Sequence, residues 1–542
     1  MTSVFRRRIT YQIINTLNPY LKKEDRAIIY DSLPLSLKLS QPKHLPPQFE
    51  FSWKKIVKLK PELQDLVHPN TLTTYLKIRY YEFPIDGITD ILTDSLTEEK
   101  LIFTVDQNQF SANVILNIIK NIENIPSWSC FFRNIPPENV IVEYSSPNVA
   151  KPFHFGHFRS TIVGNFVANI CKYVGHKVTR LNYVGDWGLQ YGILAVGFNK
   201  FGCEKELQKD PLNHLFEVYK QANEQNESNP SFNEEAKMYF KKMENGDADA
   251  LALWQRLRDL SLKEMNATFI RSQGIASCNE DGSIEAIIAE ENDKVEKAVL
   301  RKKDGTSLYL TRDLAAAIDR WKKYHFDSAF YVYRDIQFVP FGRILNFSTR
   351  KGTAVFLSDI LDEARERTLE GMRNSPNTKV TENLEQIAGV LGASSLIVND
   401  FSMRRKRDYP FNWDKILNMK SNSGITLQYC HARLNNLKEN CGIDLSMGCE
   451  FSYLSEPEAL SLIHHLAKFE EAAYFAYTEL EPCVLVHYLF SLSQEVGRAL
   501  KALKVKGSHP CIAEARLLLF HSAHLVMRKG LQLLGVTPLD KM

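Results

Sequence analysis

The sequence predicts an α/β protein with a small α+β module ahead of the central sheet and an all-α bundle behind it. Three observations carry that expectation. From about residue 136 a strand, a glycine-containing turn and a helix follow one another in "ENVIVEYSSPNVAKPFHFGHFRSTIVGN". Residues 1–128 mix short apolar patterns with polar turns, and residues 381–542 carry essentially only helical periodicity.

In the first segment, closely spaced prolines in "SLPLSLKLSQPKHLPP" deny a continuous helix. The opening "MTSVFRRRITYQIINTLNPYLKK" has three consecutive Arg, two Lys and no acid before Glu24. That composition suits a mitochondrial transit peptide and equally the basic first helix of a folded domain. The central domain, 129–380, continues past the first strand and helix into "GHKVTRLNYVGDWG", a second buried strand leaving through a glycine turn, so a βαβ unit begins here. Between about 199 and 300 the chain turns charged, which reads as a helical insertion on the sheet. The β pattern returns in "KAVLRKKDGTSLYLTRDLAAAIDR" and "FDSAFYVY". In the last segment Leu485, Tyr488, Leu489, Leu492, Val496 and Leu500 recur at three- and four-residue steps, the spacing of one buried helix face.

With 542 residues, the chain has room for roughly three to four domains. A net charge of +3, from 67 basic and 64 acidic side chains, is too balanced for a protein that coats DNA, so any nucleic-acid contact has to be local. The nine cysteines form no C-x-x-C pair and no Cys/His cluster at zinc-ligand spacing, so neither a disulfide framework nor a structural zinc is indicated, and a reducing compartment fits. No apolar run reaches the 18 residues of a membrane span.

The chemistry concentrates where the first strand meets its helix. A helix N-terminus presents unsatisfied N–H groups and partial positive charge, a ready site for phosphate. His154 and His157 add side-chain donors for charge that develops at phosphorus, and Gly156 removes the side chain that would hold a nucleobase away from the backbone. An H-x-G-H sequence alone is equally a helix cap or a pair of satisfied imidazoles.

The wider context is specific. "VEYSSPNVAKPFHFGHFRSTIVGN" resembles the signature of class I aminoacyl-tRNA synthetases, and in particular of arginyl-tRNA synthetases. Further matches follow in order: "NYVGDWGLQYG", "DGTSLYLTRDLAAAIDR", "STRKGT", "LQYCHARL" and "LLGVTPLDKM". The resemblance implies a Rossmann-type class I catalytic domain, an N-terminal tRNA-contacting α+β domain and a helical anticodon-binding domain. It also implies ATP with Mg²⁺, L-arginine and tRNA-Arg as substrates; neither zinc nor a membrane partner is expected, and the chain is expected to be a monomer. The basic opening is similar to the mitochondrial member of the family, which implies the mitochondrial matrix; the cytoplasm is the competing compartment.

Carried onto matching positions, the resemblance implies that Ser146, Pro147 and Asn148 hold the amino and carboxylate groups of arginine, with His157 nearby. His154, Gly156 and His157 face ATP. Tyr309 and Asp313 form the side-chain pocket, a phenol and a carboxylate that one helical turn would align for a planar guanidinium. "STRKGT" takes the place of the second class I signature, so Ser348, Arg350 and Lys351 meet ATP, with Lys351 on the leaving pyrophosphate.

"SMRRKRDYPFNWD" places Arg404, Arg405, Lys406 and Arg407 beside Tyr409 and Trp413, a pattern that suits RNA phosphates, a solvated loop or a nuclear-import signal. Gln428, Tyr429, His431 and Arg433 stand where the family's anticodon-binding domain begins, and Gln428, Tyr429 and Arg433 are expected to meet tRNA.

Two places depart from the family. After "WQRLRDLSLKEMNATF" a family segment is missing, and "RDIQFVPFGRILNF" leads straight to "STRKG", leaving residues 334–347 too short for a crossover and a strand. One βα unit is therefore expected to be absent. Two other functions compete with arginine ligation. A small-molecule adenylyltransferase would share the helix turn but has no use for the C-terminal bundle, and a non-catalytic tRNA-binding protein would account for the two gaps.

Overall fold

The computed structural model describes residues 2–41, 45–63, 67, 69–82, 84–93, 100–125, 129–147, 155–183, 187–269, 285–291, 294–299, 316, 319–331, 339–345, 357–375, 382–418, 422–443, 445 and 448–542. Helix α1 (Ser3–Leu17) and helix α2 (Lys23–Ser36) open the N-terminal domain. They are followed by β1 (Lys38–Ser40), β2 (Gln48–Ser52), α3 (Trp53–Leu59), α4 (Pro69–Glu82), β3 (Ile88–Thr93), β4 (Lys100–Val105) and α5 (Gln107–Asn121). The four strands form an antiparallel sheet in the order β1-β2-β4-β3.

The basic opening segment is built into this domain. Phe5, Ile9, Ile13 and Leu17 are fully buried, and Phe5 packs between Phe49 and Phe110. Arg6 is buried as well: its Nη1 donates to the carbonyl of Pro34 at 2.8 Å, its Nη2 reaches Glu471 at 3.2 Å, and its guanidinium lies 4.9 Å from the centre of the Phe131 ring. A buried guanidinium is stable only with such partners.

The central sheet consists of β5 (Asn139–Glu143), β6 (Lys177–Leu181) and β9 (Ser328–Tyr331), parallel throughout and ordered β6-β5-β9. Val140, Ile141 and Val142 are buried, as the unbroken apolar run of a strand covered on both faces requires. Helix α6 (Phe155–Val174) makes the crossover from β5 to β6 and buries Phe158, Val163, Phe166, Val167 and Ile170. Gly164 lets it lie close, because a Cβ there would stand 2.2 Å from Cβ of Tyr144.

The charged stretch forms α7 (Leu189–Phe201), α8 (Glu204–Lys209), α9 (Pro211–Ser228), α10 (Pro230–Glu244) and α11 (Ala248–Phe269). These helices have their own core, around Tyr191, Leu194, Leu215, Val218, Phe240 and Leu257. Contrary to the helical reading up to about 300, β7 (Glu285–Glu291) and β8 (Lys294–Val299) pair as an antiparallel hairpin. Ile287 and Ile288 in the first strand and Val295 and Val299 in the second are β-branched and favour strand over continued helix.

The remaining elements are β10 (Ile344–Leu345), α12 (Leu357–Arg373), α13 (Leu384–Phe401), β11 (Tyr409–Pro410), α14 (Trp413–Ile416), α15 (Gly424–Asn440), α16 (Pro457–Ala467), α17 (Phe469–Thr478), α18 (Pro482–Ala502) and α19 (Pro510–Leu533). Leu485, Tyr488, Leu489, Leu492 and Val496 are the buried face of α18. No helix among the described residues is long and apolar enough to cross a membrane.

Candidate active site

Strand β5 ends at Glu143 and the chain turns sharply before α6. Ser145 and Ser146 both take positive φ, 75° and 41°, a conformation that costs a non-glycine residue energy and persists only where neighbours impose it. The neighbours are identifiable. The Ser145 N–H donates to Oγ of Ser160 at 3.0 Å, the Ser145 hydroxyl is 2.7 Å from that of Thr161, and the Ser146 N–H donates to Oδ1 of Asn182 at 3.0 Å. Residues of α6 and of the segment after β6 thereby hold the turn from two sides.

Gly156 and His157 sit in the first turn of α6, His157 half-buried, and Ser146 and Pro147 lie in the turn that the helix clamps. The structure therefore brings Ser146, Pro147, Gly156 and His157 to one end of β5. This is the carboxyl end of the central strand, where the connection to β6 leaves to one side and β9 returns on the other, the crevice in which open α/β sheets bind nucleotides. Asn148, His154, Tyr309, Asp313, Ser348, Arg350 and Lys351 lie outside the described residues.

Two buried ion pairs between residues far apart in the chain support the site. Glu143, the last residue of β5, pairs with Arg320, whose guanidinium also lies 5.2 Å from the ring centre of Tyr183 and 5.7 Å from that of Tyr331. The pair ties the end of the "DGTSLYLTRDLAAAIDR" segment to the strand that opens the site. On α6, Arg159 Nε is 2.9 Å from Asp400 Oδ2, Arg159 Nη1 donates to the Arg407 carbonyl at 2.9 Å, and Tyr409 Oη donates to Asp400 at 2.8 Å.

These contacts revise the expected RNA-facing residues. Arg404, Lys406 and Arg407 are exposed, and so are Tyr429 and Arg433. Arg405 is turned inward instead: it is buried, and its Nη1 and Nε donate to the carbonyls of Pro340 and Leu480 while its N–H reaches Glu481. A guanidinium buried in this way is turned away from solvent and from an RNA phosphate. Tyr409 is likewise buried on Asp400 and offers no ring for stacking on RNA. Gln428 is fully buried and bridges Ser394, the Thr537 carbonyl and the Leu539 N–H, so it fastens the C-terminal tail rather than reading tRNA. Trp413 packs edge-on against Phe411, with Arg367 over its ring.

A parallel sheet whose first strand runs through a clamped turn into the helix that carries Gly156 and His157, followed by an all-α bundle, is the architecture of a class I aminoacyl-tRNA synthetase. The family model "tRNA synthetases class I (R), catalytic domain" matches residues 133–283, 267–344 and 334–413, and the "DALR anticodon binding domain" matches 427–542. The chain belongs to the arginyl-tRNA synthetase family. It is 37% identical over 489 residues to a probable mitochondrial arginine–tRNA ligase of Bos taurus, covering 81% of this chain and 85% of the relative. It is 38% identical over 495 residues to the cytoplasmic arginine–tRNA ligase of Saccharomyces cerevisiae, covering 80% and 81%. The fold matches the solved arginyl-tRNA synthetases of Plasmodium falciparum (TM-score 0.74, 18% identity, 99% of each chain) and Thermus thermophilus (TM-score 0.71, 18% identity, 99% of this chain and 100% of that one). The catalytic match breaks near 267–283 and 334–344, the two regions where the sequence departs from the family pattern, and it runs to 413, beyond the boundary expected at 380.

Proposed function

We propose that this chain activates L-arginine with ATP, supplied as its Mg²⁺ complex, and transfers the arginyl group to the terminal ribose of tRNA-Arg, acting as a monomer in the mitochondrial matrix. The observation that carries the reading is the Ser145–Ser146 turn, held in a costly backbone conformation by the helix that carries His157. Strain of that kind, over-determined by neighbours, marks a pre-organised site.

Ser146, Pro147 and Asn148 orient the amino acid, while Tyr309 and Asp313 receive its guanidinium. His154 and His157, with the N–H groups at the start of α6, stabilise charge on the transferring phosphate, and Lys351 with Ser348 and Arg350 stabilises the leaving pyrophosphate. Exposed Arg404, Lys406 and Arg407 neutralise tRNA phosphates, and Tyr429 with Arg433 faces the anticodon arm. The mitochondrial relatives support the matrix; the cytoplasmic relatives are equally similar, and fractionation of cells carrying the tagged chain separates the two.

Pyrophosphate exchange into ATP, run with each amino acid in the presence of tRNA, tests the reaction. Arginine alone supports exchange, and Asp313→Ala raises the KM for arginine more than that for ATP. Exchange with a different amino acid would refute the assignment. The broken catalytic match favours one other reading, a tRNA-binding protein without ligase activity, in which exchange is absent and tRNA binding persists.

A further inference from the structure

His431 on α15 and His524 on α19 face one another deep in the helical bundle, with ring centroids 4.4 Å apart. They are 0% and 4% exposed. Neither His431 Nε2 nor either ring nitrogen of His524 has a hydrogen-bond partner. Three buried orphan nitrogens in one place are costly, since each forfeits the hydrogen bond it made with water. The side chain of Asp540, in the tail after α19, completes the group: one ligand atom from each of the three residues lies within 4.8 Å of the others.

We propose that His431, His524 and Asp540 form a binding site for a single zinc ion that fastens the C-terminal tail to the bundle. Several features fit this chemistry. Two imidazoles and one carboxylate, with water as the fourth ligand, are a tetrahedral zinc donor set, and modest side-chain shifts bring 4.8 Å spacing to the separations that bonds of about 2.0–2.2 Å require. The Nδ1–H of His431 donates to the Leu539 carbonyl at 2.8 Å, which fixes the tautomer that leaves the Nε2 lone pair directed inward, as outer hydrogen bonds do at histidine metal sites.

Burial keeps both rings neutral and ready to coordinate, the pKa of His524 falling to about 3 and that of His431 below its ordinary value. The positive charge of Lys438 and Arg528 nearby opposes any divalent cation alike, and the neutral nitrogen ligands are what favour zinc and its late transition-metal neighbours over the oxygen-seeking Mg²⁺ and Ca²⁺. The tail is already positioned by Gln428, which holds Thr537 and Leu539, and by Asn435, which donates to the Asp540 carbonyl. The ion would therefore lock an existing arrangement. The three ligands come from separate segments, so no local spacing announces them.

The test uses the full, tag-free chain, stripped with chelator and titrated with ZnCl₂ against a chromophoric competitor. One zinc binds per chain. His524→Leu abolishes binding, and Asp540→Asn, at an exposed position that leaves the fold intact, weakens it at least tenfold. Zinc raises the Tm of the wild-type chain and leaves that of His524→Leu unchanged. Absence of stoichiometric binding would reduce the pair to two packed imidazoles and overturn the proposal; unchanged affinity in Asp540→Asn and His524→Leu would place the metal elsewhere and overturn it as well.

Discussion

Arg159 on α6 and Asp400 at the end of α13 form an ion pair sealed from water, with side chains 1% and 2% exposed and Nε 2.9 Å from Oδ2. It joins the helix of the candidate active site to the segment that carries the exposed cations, because Arg159 also holds the Arg407 carbonyl and Tyr409 shares Asp400. Removing one partner leaves an uncompensated buried charge. Asp400→Asn is expected to lower stability by about 3–5 kcal/mol, and Arg159→Met combined with Asp400→Leu by clearly less than either single change. Urea unfolding of the three variants measures the difference.

Gly164 is expected to resist the substitution that an isolated helix would welcome. Alanine there gains about 1 kcal/mol of helix propensity but drives its Cβ to 2.2 Å from the Tyr144 side chain, so α6 must shift away from the end of β5. Gly164→Ala is predicted to destabilise by about 1–3 kcal/mol and to reduce kcat for aminoacylation, while a Gly→Ala change at the open position Gly497 does neither. Thermal unfolding and steady-state kinetics read the two effects separately.

The four cations after Met403 divide into two kinds. Arg404→Ala, Lys406→Ala and Arg407→Ala are each expected to weaken tRNA binding and to lower the slope of log affinity against log salt by up to about 1. Arg405→Ala is expected to leave that slope unchanged and to lower stability, since its guanidinium is spent on Pro340 and Leu480. Filter binding across a salt series distinguishes the classes.

How far the sequence could be read is clear from these same residues. The strand–turn–helix at 139–174 was legible because its motif is contiguous. A run of four cations shows charge but not direction, and only the packing against Pro340 and Glu481 shows that Arg405 points inward. Composition likewise left α1 open between a transit segment and a folded helix, since burial of Arg6 depends on Glu471 and the Pro34 carbonyl, far along the chain. Glu143–Arg320 and Arg159–Asp400 were invisible for the same reason. Asn148, His154, Tyr309, Asp313, Ser348, Arg350 and Lys351 rest on the family motif alone.

Acid is expected to destabilise the bundle through histidines that fold neutral. Burial, with Lys468 and His465 nearby, lowers the pKa of His464 to about 3, and burial also lowers that of His465. A histidine whose folded pKa lies below the unfolded one contributes its full stability above about pH 6.5, and that contribution is lost as pH falls from there towards the folded value. The expected slope is at most about 1.4 kcal/mol per pH unit for each group. Unfolding free energies between pH 7 and 4.5 should fall steadily, and His464→Gln should flatten the curve.

The central claim is that this chain, despite the two breaks in its catalytic match, charges tRNA with arginine. Aminoacylation of tRNA-Arg by the purified chain, with ATP, Mg²⁺ and each labelled amino acid in turn, tests it most directly. Arginine-specific charging that falls at least a hundredfold in His154→Ala is the predicted result. A folded chain that binds tRNA and charges it with no amino acid would contradict the account.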